Sequence, residues 1–453
     1  MTENPAGGWS VADLDTVDLD GVDLFDAGFH AASDPHLTWA AMRRRAPLHR
    51  QELPDGRAFW SVTRYQDACR VLGQHREFTS ERGSLLQQLG RGDAAAGKML
   101  VATDPPRHGE LRRPLRALFS GAPLMAAEQR IRAAVDAVLR SVADDEVWDV
   151  SEHAALLPMA AAAALMDLPE EDWPDLVRWT GMAAAPEDPV HRTGSSAATL
   201  AIAHHELFEY FARTARSRAG TEGDDLIRHL TAVSVDGTAL TRDEVVVNCY
   251  SVLLGANATT PHTAAGTVLA LARNPEVYRA VRENPELVPE LVEEGLRFTS
   301  AARSFLRHAV QDVELSGGLV PAGDAVAVWV GSANRDETVF ADPERFLVPR
   351  PDNRHIAFGY GPHYCLGAAV GRLTLRVLFE EIVALIEEFE PAGPPRRLAS
   401  NFVAGFTRLP IRTRLRADAR RRVPPQARSL RGRTHDCLCH RPAPGSHTHA
   451  PGR

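Results

Sequence analysis

The segment Phe358-Gly-Tyr-Gly-Pro-His-Tyr-Cys365-Leu-Gly367 decides how this chain is read. Glycines at 359, 361 and 367 permit tight turns and let the backbone come close to a flat partner. Cys365 stands at the mouth of an Ala-rich helix, where the amide dipoles favour a thiolate. Neighbouring amides can hydrogen-bond the sulfur and tune its electron donation. A thiolate of this kind on iron pushes electron density toward a bound O–O bond. A lone cysteine after such a turn is ordinarily a buried structural thiol, so the surrounding chain has to decide between the two.

Around this segment lie 453 residues, 44% of them hydrophobic, enough for a large core. The formal net charge of −8 gives no electrostatic reason to expect nucleic acid. The five cysteines, Cys69, Cys249, Cys365, Cys437 and Cys439, are few, odd in number and scattered. That argues against a disulfide framework and for a reducing compartment. No basic-then-apolar leader pattern and no long uninterrupted apolar run is visible, so neither membrane nor export is expected. A cytoplasmic monomer is the expectation.

Residues rich in Ala, Leu, Arg and Glu predict helices over 123–143, 152–167, 196–219, 243–273, 276–298 and 366–389. Extended segments are expected at 57–62, 307–315 and 324–330, the last two separated by Gly-Gly and Pro-Ala-Gly turns. The fold class that follows is mainly α, an α+β body with small sheets. Residues 1–25 are acidic and read as loosely held, residues 26–416 as the catalytic domain. Residues 417–453, rich in Arg, Pro and His, read as a disordered tail. Its Cys437-Leu-Cys439-His440 run, with His435, His447 and His449, could bind a soft metal but fits no standard zinc spacing.

Position for position, the segment 358–367 resembles the haem-binding loop of the cytochrome P450 superfamily, soluble bacterial type. The resemblance runs from about residue 34 to residue 414. It implies the P450 fold, with haem b buried between distal and proximal helices and Cys365 as the ligand of its iron. Phe358, Gly359 and Gly367 would form the loop against the cofactor. Glu294-Gly-Leu-Arg297 resembles the family's Glu-x-x-Arg pair. Elsewhere such a spacing is an ordinary helical ion pair; here the resemblance makes it a buried brace for the loop, with Arg345 as a candidate third member. Carboxylates on the haem edge need cations. The resemblance offers His108 and Arg112 in Asp-Pro-Pro-Arg-His-Gly-Glu-Leu-Arg, Arg307, and His355 ahead of the loop.

The stretch Gly255-Ala-Asn-Ala-Thr-Thr-Pro261 resembles the family's distal helix. Small Gly255 and Ala256 would let it pass close over the haem. Thr259 falls at the alcohol position, where a hydroxyl bonded one turn back opens room for an ordered water. Pro261 should add a kink. The family's acid position is occupied by Ala258. Three explanations stand open: a relay through Asn257, Thr259 and water; a proton supplied by the substrate; or oxidative C–C or C–N coupling without oxygen insertion.

The substrate pocket that the resemblance implies draws on Leu85, Leu86, Gln88, Leu100, Ala256, Thr260, Ala302, Phe305 and Phe402, with Gln87, Met99 and Arg303 nearby. The expected reaction is hydroxylation or epoxidation of a small specialised metabolite, with the coupling reaction and a non-catalytic haem binder as alternatives. No flavin- or nicotinamide-binding motif is present. Electrons are therefore expected from a ferredoxin-type donor docking near Arg372 and Arg376.

Overall fold

The computed structural model describes residues 9–140, 142–235 and 237–417. The tail from 418 onward, with its cysteines and histidines, lies outside the described residues.

The helices that matter for the site are α1 (Pro35–Arg45), α2 (Arg107–Leu115), α3 (Gly121–Leu139), α4 (Leu156–Met166), α5 (Trp173–Ala184), α6 (Ser196–Arg218), α7 (Arg242–Arg273), α8 (Val288–Thr299) and α9 (Ala368–Leu385). The longest, α7, starts on a capping box in which Thr241 and Glu244 bond each other's backbone amides. Asp243 and Glu244 in its first turn suit the positive end of the helix dipole. It packs against α4, α5, α6 and α8, so its central turns are held from several sides.

A five-stranded sheet is built from β1 (Leu48–Glu52), β2 (Ala58–Val62), β3 (Phe78–Thr79), β4 (Ser304–Ala309) and β5 (Ala325–Trp329), in the order β1-β2-β5-β4-β3. Only β5 and β2 run parallel, with Ala327 opposite Ser61. β5 is buried along its whole length, as a central strand with both faces covered should be. Antiparallel to it, β4 sets Arg307 opposite Val326 and brings Phe305 and Arg307 to the cavity described below.

Several expected elements are cut where local chemistry overrides the pattern. The helix expected over 276–298 breaks at Asn284-Pro285, because a residue before proline avoids the α region; Asn284 sits at φ −131°, ψ 83°. The helix expected over 366–389 stops at Leu385, and Ile386–Pro391 pairs as a strand with Pro410–Leu415. The 307–315 strand is two strands, β4 and Val313–Leu315. The helix expected over 152–167 divides into Val150–Ala154 and α4. Residues 9–25, read as loosely held, carry a short helix at Val11–Asp15 and bury Leu24 beneath α1 and the sheet. Pro261 does not interrupt α7, which is helical throughout.

Candidate active site

The loop ahead of α9 is held by its own backbone. The Cys365 amide donates to the Phe358 carbonyl at 2.8 Å, and the Gly359 amide to the Ile356 carbonyl at 2.9 Å. Gly361 is at φ +73°, and a Cβ there would lie 2.6 Å from the Cα of Gly73, so only glycine fits. These turns present Cys365 to a cavity of about 870 Å³. Desolvation pushes the Cys365 thiol up, while the Gly367 amide, Arg112 and Arg372 pull it back toward the thiolate.

Behind the loop, Glu294 and Arg297 are fully buried on α8 and joined by two 2.8 Å bonds. Arg297 also donates to the carbonyls of Asn334, Pro343 and Arg345. The third member of this brace is Arg350, whose Nε reaches both Glu294 oxygens at 3.0 and 2.9 Å. Arg345 is therefore a correction: it contributes only its carbonyl, and its side chain, 58% exposed, turns toward Asp342. Arg350 sits between two prolines in Pro349-Arg350-Pro351, a rigid setting that was the available clue.

At one edge of the cavity stand His108, Arg112, Arg307 and His363. The Nε2 of His108 and both ring nitrogens of His363 are enclosed without a close hydrogen-bond partner among the described residues, although His363 Nε2 lies 3.9 Å from an Asp104 carboxylate oxygen, and the two ring centroids are 4.4 Å apart at a tilt of 54°. Burial, His363 and Arg112 push His108 down to about 3. Arg307 is enclosed and lowered to about 10 by burial. Arg112 donates to the Tyr364 carbonyl at 2.5 Å, tying α2 to the cysteine loop. His355 does not join this group. Its Nε2 lies 3.2 Å from Glu293, and Glu293 also pairs with Arg372, which lies over the Phe358 ring. His363, inside the motif two residues before the cysteine, takes the place expected of His355.

The same cavity is lined by Gly255, Ala256, Thr259 and Thr260 of α7. Thr259 Oγ1 donates to the Gly255 carbonyl at 3.1 Å. A helix turns about 100° per residue, so Gly255, Ala256, Thr259 and Thr260 can share one face while residues 257 and 258 fall on another. Asn257 accordingly faces away and contacts Met159 and Thr180, and Ala258 is buried outside the lining. Both corrections follow from helical phase. Carboxylates do line the cavity, at Asp93, Glu209 and Asp243, but none stands on the turn from 255 to 260.

The expected pocket residues Leu85, Gln88, Leu100, Ala302, Phe305 and Phe402 all line the cavity, together with Gln87 and Met99. Leu86 does not; it is packed against Trp39 and Leu306 in a separate core, because it alternates with Leu85 in a tight turn. Arg303, buried at 4% exposure, does not line the cavity either. Sequence reading missed His204, Phe208 and Tyr250, a ring cluster in which His204 Nε2 meets the Tyr250 hydroxyl at 3.1 Å. Their positions at 204, 208 and 250 carry no motif; only the packing of α6 on α7 brings them together.

This geometry finds its match among known proteins. The chain is 32% identical over 404 residues to cytochrome P450 NovI of Streptomyces niveus, covering 87% of this chain and 97% of that protein. The chain belongs to the cytochrome P450 family. The family model described as Cytochrome P450 matches residues 196–397. Linalool 8-monooxygenase of Pseudomonas putida is 30% identical over 86% of this chain and 98% of its own length. The solved structure of P450 OxyD, a protein involved in biosynthesis of vancomycin-type antibiotics, superposes with a TM-score of 0.79. It is 32% identical and covers 87% of this chain and 100% of its own.

P450 proteins are oxidoreductases that bind haem b, and the residues present fit that group. One wall carries a thiol aimed into the cavity, and one edge carries two arginines and two histidines with enclosed, unpartnered nitrogens. That is the chemistry a flat macrocycle with two carboxylates requires. Among the described residues, no helix is long and apolar enough to cross a membrane.

Proposed function

We propose that this P450 is a monooxygenase that inserts oxygen into a largely apolar specialised metabolite, with Cys365 as the residue that would hold the haem iron. The observation that carries this reading is that Cys365, ahead of α9, and Thr259, on α7, line one and the same cavity. Bound haem supplies the activation of dioxygen. The protein supplies the rest. His108, Arg112, Arg307 and His363 would hold the propionates, and the Glu294–Arg297–Arg350 brace keeps the Cys365 loop in register. Thr259 donates to the Gly255 carbonyl, so its oxygen lone pairs remain free to accept from a water and hold it for proton delivery.

With Asn257 turned away and alanine at 258, the relay rests on Thr259, water and groups of the substrate. Leu85, Leu100, Phe305 and Phe402 shape the apolar site, and Gln88 offers a directing polar group. Relatives such as PikC of Streptomyces venezuelae, named a P450 monooxygenase, support the reaction class. The electron donor in this reading is a ferredoxin-type protein. Arg372 and Arg376 flank an external groove beside α9, and both are already engaged by Glu293 and Glu380, so they would shape that surface rather than offer free charge. The scattered cysteines suit a reducing compartment, and we place the enzyme in the cytoplasm.

Turnover under labelled dioxygen tests the reaction. The expected product gains one labelled oxygen atom. A main product lighter by two hydrogens, with no label, would replace oxygen insertion with oxidative coupling.

A further inference from the structure

Immediately before β4 and outside the cavity lining, Arg303 is 4% exposed. Its backbone is fixed: the amide donates to the Phe402 carbonyl at 2.8 Å, and its carbonyl accepts from Val330 at 3.0 Å. Its guanidinium is different. It makes no hydrogen bond or ion pair with any described residue, and its Nε is fully enclosed.

The charged and titratable groups within electrostatic reach of Arg303 are Asp34, Arg397, His30 and His36. Asp34 is already committed, accepting from Arg397 at 3.0 Å and from the His36 amide at 3.1 Å. Nearby, Arg335 pairs with Glu344, although Arg335 Nε and Glu344 Oε1 are enclosed without a hydrogen-bond partner, and Arg43 pairs with Glu337. Burial drives His36 down to about 3 and His30 well below its ordinary value, so both rings are neutral at pH 7. Arg303 is lowered only to about 9 and stays cationic there. The Arg303 guanidinium is thus enclosed with no counter-charge bonded to it, which is strongly unfavourable. Other enclosed polar atoms without partners belong to the same cluster. They include His30 Nδ1, His36 Nδ1 and the indole Nε1 of Trp39, and the His36 and Trp39 rings meet edge to face at 5.2 Å.

We propose that a small monovalent anion, a halide such as chloride, binds against the Arg303 guanidinium and supplies the missing negative charge. A halide suits an enclosed site that offers one cationic group and N–H donors. Because Ala302 and Phe305 line the cavity on either side of Arg303, the bound ion would also brace the cavity wall from behind.

The test uses the haem-loaded enzyme in sodium bromide or chloride against sodium gluconate at constant ionic strength. The melting temperature should rise saturably with halide, as mass action on a folded-state site demands. Crystals grown in bromide should show an anomalous peak beside Arg303. Arg303→Gln should lose both the saturable rise and the peak. Asp34→Asn, which removes a neighbouring negative charge and keeps a capping side chain, should lower the halide concentration at half-saturation. Equal melting in halide and gluconate would overturn the proposal. So would a bromide map with no peak at Arg303, where an ordered water joins it to Asp34. If Arg303→Gln does not fold, the wild-type bromide map decides alone.

Discussion

The two walls of the cavity are built on opposite principles. Behind Cys365, Glu294 accepts from Arg297, Arg350 and the Leu347 amide, and the guanidiniums of Arg297 and Arg350 spend their remaining donors on backbone carbonyls. On α7, the cavity-lining residues Gly255, Ala256, Thr259 and Thr260 are small, and the Thr259 hydroxyl bonds back to the Gly255 carbonyl. The first wall fixes a ligand in one place and tolerates no loss. The second leaves space and one hydroxyl, so its changes should alter chemistry while sparing the fold.

The largest break expected of this contrast is Glu294→Ala. It strands two buried guanidiniums, and breaking a buried ion pair costs about 3–5 kcal/mol. Little haem-loaded protein should be recovered, and haem content with the melting temperature measures it. Normal values for both would show that the brace is dispensable. On the other wall, Thr259→Ala should leave haem content and melting temperature unchanged. Product per electron should fall, toward the ~10²-fold lower end of what positioned proton transfer contributes, with peroxide taking the difference. Unchanged coupling would mean that the substrate supplies the proton itself. The smallest effect sharpens the assignment of the brace. Arg345→Ala, which removes an exposed side chain, should shift stability by no more than about 0.5 kcal/mol. Arg350→Ala should approach the Glu294→Ala loss; the reverse ranking in denaturant melts would restore Arg345 as the third member.

The same contrast explains what could be read from sequence. The cysteine loop is a run of consecutive residues whose roles are set by local turns, so Phe358, Gly359, Cys365 and Gly367 were legible together. Glu294 and Arg297 share one helical turn, and their spacing carried them. Arg350 and His363 were harder. Which arginine reaches Glu294, and which histidine faces the cavity, depends on loop paths that place Arg345 outward and turn His355 onto Glu293. On the distal wall the alcohol was legible, but its neighbours were read in chain order rather than by helical phase, which is why Asn257 and Ala258 were expected in the cavity. His204, Phe208 and Tyr250 meet only through helix packing and left no local trace.

The central claim is that Cys365 binds the haem iron as a thiolate. The carbonyl complex of the reduced enzyme tests it most directly, since a thiolate trans to carbon monoxide shifts the main haem band to the red. The wild-type protein should show that shifted band, and Cys365→Ser should lose it, leaving either a band typical of a neutral ligand or no bound haem. A shifted band that survives Cys365→Ser unchanged would contradict the account, because the iron would then take its thiolate from another residue.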